Sequence, residues 1–308
     1  MPIHRRHILG LFGAALWADT DSPLLARWRD VASGADGVLG AAALHLGTRQ
    51  MVSLRGDEHF PLASVCKLPA ALHILALVDA GKLSRSESIE VIPADVSPQV
   101  SEVAARWPKQ KSFPLDELLL LMIAKSDNTA VETLYRIGGG ATAITARMRG
   151  WGIQGIRIDR TERQCGIDAS GRTPAAHAAA MRRFIADPRD TGTPDATVHL
   201  LERLFRGELL SPVSTQRLIH IMEATVTGPA RIKGLLPPGA TVAHKTGTTG
   251  SAGTLNGSTN DVGVVTYPNR AAQFALAVYL KSSRRDLAVR EKTIARIAQA
   301  TYDFWSKS

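Results

Sequence analysis

A hydroxyl and an amine one helical turn apart are the smallest kit for an activated nucleophile. In Ala63-Ser64-Val65-Cys66-Lys67, Ser64 and Lys67 stand three residues apart. On a helix that spacing puts both side chains on one face, about 5–6 Å apart at Cβ. A serine hydroxyl attacks carbonyls poorly by itself; a lysine kept neutral by burial or by a nearby positive charge can take its proton. The pair also arises on ordinary solvated helices. Here the stretch that follows, 68–80, is apolar nearly all round, with Leu68, Leu72, Ile74, Leu75 and Leu77. A lysine buried at the start of such a helix needs a partner or a chemical task.

Two further short motifs sharpen the pair. Ser126-Asp127-Asn128 follows a dense apolar run, and Lys245-Thr246-Gly247 lies in a Val- and Thr-rich stretch. Each occurs once, and the order is Ser-x-x-Lys, Ser-Asp-Asn, Lys-Thr-Gly. Any one is weak, whereas the ordered trio with matching local structure is specific.

The elements that must hold these motifs are legible in outline. Residues 38–46 and 51–55 read as two strands joined by a turn at Gly47-Thr48. The helix opening at Ser64 ends at Gly81, a good C′ residue, and tolerates Pro69 because it lies near the start. Residues 115–124 and 130–137 have helical spacing, the second ending at Gly138-Gly139-Gly140. Residues 158–173 are polar and aperiodic and read as a loop. Thr173-Pro174 and Thr193-Pro194 each place a capping threonine before an N1 proline, so two helices start there. Residues 216–223 give another helix; 241–246, 261–267 and 274–280 read as strands, and 288–305 as a closing amphipathic helix. Strands at both ends with helices between predict an α/β unit built from both termini, with an all-helical insert.

Composition narrows the class. At 308 residues, 44% hydrophobic and 21% charged, the chain can bury a large core. The net charge of +9 comes from 37 Lys and Arg that are dispersed, with short clusters at Arg182-Arg183 and 281–285 and no basic run interleaved with aromatics. That is a solvated basic surface, and no nucleic-acid partner is expected. His4-Arg5-Arg6-His7, a short apolar core at 8–17 and the small Ala18 form an export signal over 1–18, served by the general secretory or the twin-arginine route. That core is too short for a resident membrane span. The histidines show no ligand spacing with Cys, Asp or Glu, so no metal and no cofactor are expected. Trp107 and Trp151 read as packing residues. Cys66 and Cys165 are the only cysteines; in an exported protein they either bridge or stay as small apolar thiols.

With its three motifs, Thr227-Gly228-Pro229-Ala230-Arg231 and His244 before the Lys-Thr-Gly motif, nearly the whole mature chain resembles the class A serine β-lactamases. Penicillin-binding transpeptidases are more distant relatives. The resemblance implies an antiparallel five-stranded sheet flanked by helices, formed by 19–60 and 207–308, with a helical domain at 61–206 that includes an omega-like loop. It implies hydrolysis of small-molecule β-lactams by a periplasmic monomer. Ser64 would be acylated, Lys67 would help activate it, and Ser126 would pass a proton to the ring nitrogen. Asn128 would hold the acylamide, and Lys245, Thr246 and Arg231 the substrate carboxylate in a site that includes Gly247. The N–H groups of Ser64 and Thr248 would form the oxyanion hole, and Glu162, in Asp159-Arg160-Thr161-Glu162, would be the base that aims water at the acyl-enzyme.

Two departures stand out. Gly166 occupies the place where the family often has an asparagine that helps hold that water. The segment from Glu162 to Asp190 is long, which favours bulky cephalosporin side chains and leaves open whether Arg160 pairs with Asp190. The competing functions are a D,D-peptidase or transpeptidase and a penicillin-sensing module; the first is disfavoured by Glu162, the second by the lack of a membrane span.

Overall fold

The computed structural model describes residues 22–306, save 100 and 271; the export signal lies outside them. Five strands form one antiparallel sheet in the spatial order Met51–Leu54, Val38–His45, Gln273–Lys281, Ser258–Thr266, Thr241–Thr248. Both ends of the chain therefore build the sheet, as expected. Its strands read as near-continuous apolar runs because both faces are covered. On one face Leu39, Ala41 and Ala43 meet Leu24 and Trp28 of the helix Pro23–Ser33 and Ile294 and Ile297 of the helix Leu287–Trp305. On the other, Ala42, Leu44, Val262, Val264 and Tyr279 join the large core of the helical region. The strand period of two thus sorts alternate residues into two cores.

Two helices carry the predicted caps. Thr173 and Thr193 each accept from the backbone N–H three residues on, opening Pro174–Ala186 and Pro194–Phe205. The second of these lies against the sheet, where Thr197 Oγ1 meets the Tyr279 hydroxyl at 2.9 Å.

Ser64 sits in a single 3₁₀ turn, Ala63–Cys66, that feeds the α-helix Lys67–Asp79. Gly81 ends that helix in the left-handed region, at φ +69°. The turn is clamped to the sheet from two sides. Asn260, fully buried on the strand Ser258–Thr266, donates through Nδ2 to the carbonyls of Pro61 (2.8 Å) and Leu62 (3.1 Å). Gly247 lies so close that an added Cβ would meet the Leu62 carbonyl oxygen at 2.6 Å. Only glycine lets the strand Thr241–Thr248 approach the nucleophile turn this closely.

The span 158–173 is not all loop. Glu162–Asp168 forms a short helix, its Thr161 side chain accepting from the Gln164 N–H. None of its residues is buried, so it has no apolar stripe from which a periodicity could be read.

Replacing Asn260 with alanine removes the two donors that hold the turn. We expect a loss of about 1–3 kcal/mol in unfolding free energy, seen as a lower urea midpoint with unchanged slope.

Candidate active site

The first motif converges on Lys67, which is completely buried. Its Nζ has four oxygens within hydrogen-bonding distance for its three N–H groups: Ser64 Oγ at 3.1 Å, the Ser126 carbonyl at 2.8 Å, Ser126 Oγ at 3.2 Å and Asn128 Oδ1 at 2.5 Å. The second motif reaches it because Asp127 caps the helix Asn128–Ile137, accepting from the Ala130 N–H at 2.9 Å and the Val103 N–H at 3.1 Å. Ser126 bends back at φ +58°, and Ala63, beside the nucleophile, is at φ +46°. Non-glycine residues in the left-handed region hold such conformations only where surrounding contacts enforce them.

Lys245 meets the same hydroxyl from the opposite side, its Nζ donating to Ser126 Oγ at 3.1 Å and to the Thr246 carbonyl at 2.8 Å. Burial, and then the positive charge of Lys67, push its pKa down to about 7. Thr246 Oγ1 shares a 2.6 Å hydrogen bond with Thr227 Oγ1. Arg231 does not project into open space. Its guanidinium pairs with Glu291 at 3.1 Å and donates to the carbonyls of Gly247 and Asn260 at 3.1 and 2.8 Å and to Thr248 Oγ1 at 2.6 Å. It therefore orients Thr248, which lines the cavity beside Ser64. Behind this strand His244 Nδ1 is 2.9 Å from Asp261.

Glu162 enters from the short helix. Its Oε1 accepts from Cys66 Sγ at 3.3 Å and lies 3.8 Å from Lys67 Nζ. Cys66 and Cys165 are both free thiols, so no disulfide ties the loop to the nucleophile helix. Burial, then the nearby Glu162, push the Cys66 thiol well up, so it stays protonated and serves as a donor. A second carboxylate supports the same backbone: Glu132 Oε1 accepts from the Arg163 N–H at 2.8 Å.

The neck of the loop settles the question left by the sequence. Arg160 Nε donates to Asp190 Oδ2 at 2.6 Å, while Asp190 Oδ1 accepts from the backbone N–H groups of Asp159 and Arg160 at 2.8 and 3.0 Å. Arg160 also reaches Asp168 at 2.7 Å and Asp187 at 3.2 Å. The Arg189 guanidinium beside Asp187 draws that carboxyl down from 3.8 to about 2. Since the shift is downward, its contribution is present above the unfolded value and lost only as pH falls through about 2. A cavity of about 300 Å³ runs from Ser64 and Thr248 past Glu162 and Gly166 to Met181 and Phe184.

Residues 23–305 match the model of the β-lactamase enzyme family. The chain belongs to that family. It is 29% identical over 302 residues to the β-lactamase VEB-1 of Pseudomonas aeruginosa, covering 97% of this chain and 96% of the relative. It is 29% identical to the extended-spectrum β-lactamase PER-1 of the same organism, covering 92% and 88%. A solved β-lactamase from Chitinophaga pinensis superposes with a TM-score of 0.84 at 30% identity, over 92% of this chain and 100% of that one. The enzyme is a class A serine β-lactamase that hydrolyses β-lactams. Among its described residues no helix is long and apolar enough to cross a membrane, and no group of His, Cys, Asp and Glu could hold a metal ion.

Sequence reading located every motif residue but missed the supports around them. Asn260, Glu132, Glu291 and Gln99, the partner of Asn128 Nδ2, lie in no motif, and each acts on residues far away in sequence.

Replacing Asp190 with alanine leaves Arg160 buried with its main partner gone. We expect about 3 kcal/mol of destabilisation in urea unfolding, together with faster limited proteolysis within 161–189.

Proposed function

We propose that the enzyme opens the β-lactam ring in two steps with the following division of labour. Ser64 Oγ attacks the lactam carbonyl carbon; Lys67 Nζ, an ammonium at rest, takes the Ser64 proton after releasing one of its own to solvent, and regains the ammonium form from solvent once the ring has opened. The ring C–N bond breaks as Ser126 Oγ–H gives its proton to the ring nitrogen and recovers one from Lys67. Lys67 touches both hydroxyls at 3.1 and 3.2 Å, so this transfer needs no rearrangement. Lys245 and the Thr246 hydroxyl bind the substrate carboxylate, with Arg231 acting through Thr248. The ester carbonyl lies between the N–H groups of Ser64 and Thr248. Asn128 Nδ2 faces the acylamide carbonyl.

Glu162 removes a proton from water as that water attacks the ester, and the Ser64 C–O bond then breaks with return of the proton to Oγ. The observation that carries the hydrolase reading is this carboxylate, 3.8 Å from Lys67 and on the rim of the Ser64 cavity. A transpeptidase has no use for a water-activating base at that place.

The cavity toward Met181 and Phe184 supports a second element of the proposal, acceptance of bulky oxyimino-cephalosporin side chains. Action as a monomer is part of this proposal. The 1–18 segment supports export to the periplasm by the secretory or twin-arginine route.

Glu162→Gln keeps the shape and removes the base. Mixed with a chromogenic cephalosporin, this variant should accumulate a Ser64 adduct in intact-mass spectra and lose turnover by at least about 100-fold; normal turnover would refute the base. For the side-chain pocket, steady-state kcat/KM for bulky oxyimino-cephalosporins should match or exceed that for penicillins. A strong preference for penicillins would exclude it.

A further inference from the structure

Gly166 places no side chain beside Glu162, and the space it leaves is reached from another segment. Outside its own helix, an ideal Cβ on Gly166 would have one atom of the described residues within 4 Å, Gln99 Nε2 at 4.0 Å. Gln99, Asn128, Glu162 and Gly166 together line both the Ser64 cavity and the adjoining groove. The Gln99 amide thus reaches the space that a side chain at 166 would otherwise fill.

The orientation of that amide follows from donor and acceptor arithmetic. A lysine ammonium has only donors, so the atom of Asn128 that meets Lys67 is its oxygen. Asn128 then presents its NH₂ to Gln99, and Gln99 must answer with Oε1. This leaves Gln99 Nε2, a donor, on the Gly166 side. On Glu162, Oε1 is engaged by Cys66 Sγ and faces Lys67. Oε2 has no hydrogen bond to the described residues and is left for water.

We infer that Gln99 is the second holder of the deacylating water, doing from the 97–99 segment what a side chain at 166 would do. The inference rests on the reading of Glu162 as the base. The water donates one O–H to Glu162 and accepts from Gln99 Nε2–H. Its remaining lone pair forms the new C–O bond to the ester carbonyl carbon as Glu162 takes the proton. The Ser64 C–O bond then breaks, and the proton ends on Oγ. Gln99 neither gains nor loses a proton in the cycle.

The test is a comparison of Gln99→Ala, Gln99→Ala with Gly166→Asn, and Glu162→Gln, using a chromogenic cephalosporin, stopped-flow kinetics and intact mass. For Gln99→Ala, kcat and KM should fall together by about 10- to 100-fold, with kcat/KM within about 3-fold of the parent and a Ser64 adduct that accumulates. This split separates a deacylation defect from a loosened Asn128, which would lower kcat/KM without trapping the ester. The second change should raise kcat again and clear the adduct, because the asparagine enters the space that truncation vacates.

Unchanged kinetics in Gln99→Ala, a fall in kcat/KM without an adduct, or an adduct that the second change leaves in place would each overturn the inference. Trapping in Glu162→Gln without trapping in Gln99→Ala would overturn it while leaving the base intact. Trapping in neither would overturn the base itself.

Discussion

The active site depends on one interaction, the set of hydrogen bonds around the buried Lys67 Nζ. Taking an ammonium group out of water costs several kcal/mol even after the protein relaxes, so the lysine is stable only with its oxygen partners in place. Those partners come from two separate segments: the nucleophile turn supplies Ser64, and the 126–128 turn supplies Ser126 and Asn128. The same contacts hold Ser126 in the left-handed region. A group that chemistry requires is thereby also the tie that brings the reacting hydroxyls together, and neither serine can drift without exposing the cost of the buried charge. This is preorganisation by a desolvated cation.

Lys245 adds a constraint of the opposite sign. It is buried against Lys67 with Ser126 Oγ between them, and it gives up its proton near pH 7. A bound carboxylate would favour its charged form, so substrate binding and protonation of Lys245 are linked. Arg231 lies just behind the strand, but its charge is offset by Glu291 and its N–H groups are engaged by Gly247, Asn260 and Thr248. The anion site is thus a lysine whose charge responds to the ligand, next to a hydroxyl that an arginine holds still.

Much of this was legible in the sequence because it is local. Three-residue spacing placed Ser64 and Lys67 on one face, Val- and Thr-rich runs marked strands of the sheet, and Thr-Pro pairs marked two helix starts. What was not legible depends on contacts between distant segments. The helix Glu162–Asp168 has no fully buried residue and packs only Cys165 on a neighbouring apolar cluster, so no hydrophobic period announces it; its cap and the Arg160–Asp190 pair help hold it. Nothing in the local sequence around Asn260 says that it will reach Pro61 and Leu62 across the sheet. Whether Cys66 and Cys165 bridge was open in the sequence; both are free, and Cys66 serves as a thiol donor to Glu162.

The two halves of the reaction are therefore encoded differently. Acylation uses residues whose relative positions are set by short motifs and a packed core. Deacylation uses Glu162, whose place is set by polar contacts from four directions: Cys66 on its carboxylate, Glu132 on the next backbone N–H, Asp190 at the neck, and Thr161 at the cap. A hydrogen-bonded scaffold of this kind tolerates changes in the intervening chain as long as its anchor points survive, because between them only Ala180, Met181 and Phe184 are buried. Such a loop can widen, lose a side chain at 166 and still present a carboxylate to the ester. The nucleophile turn has no such freedom, since Gly247 and Asn260 press on it from the sheet and any shift would be felt at Ser64. Substrate range can change through the loop while the acylating half stays as it is.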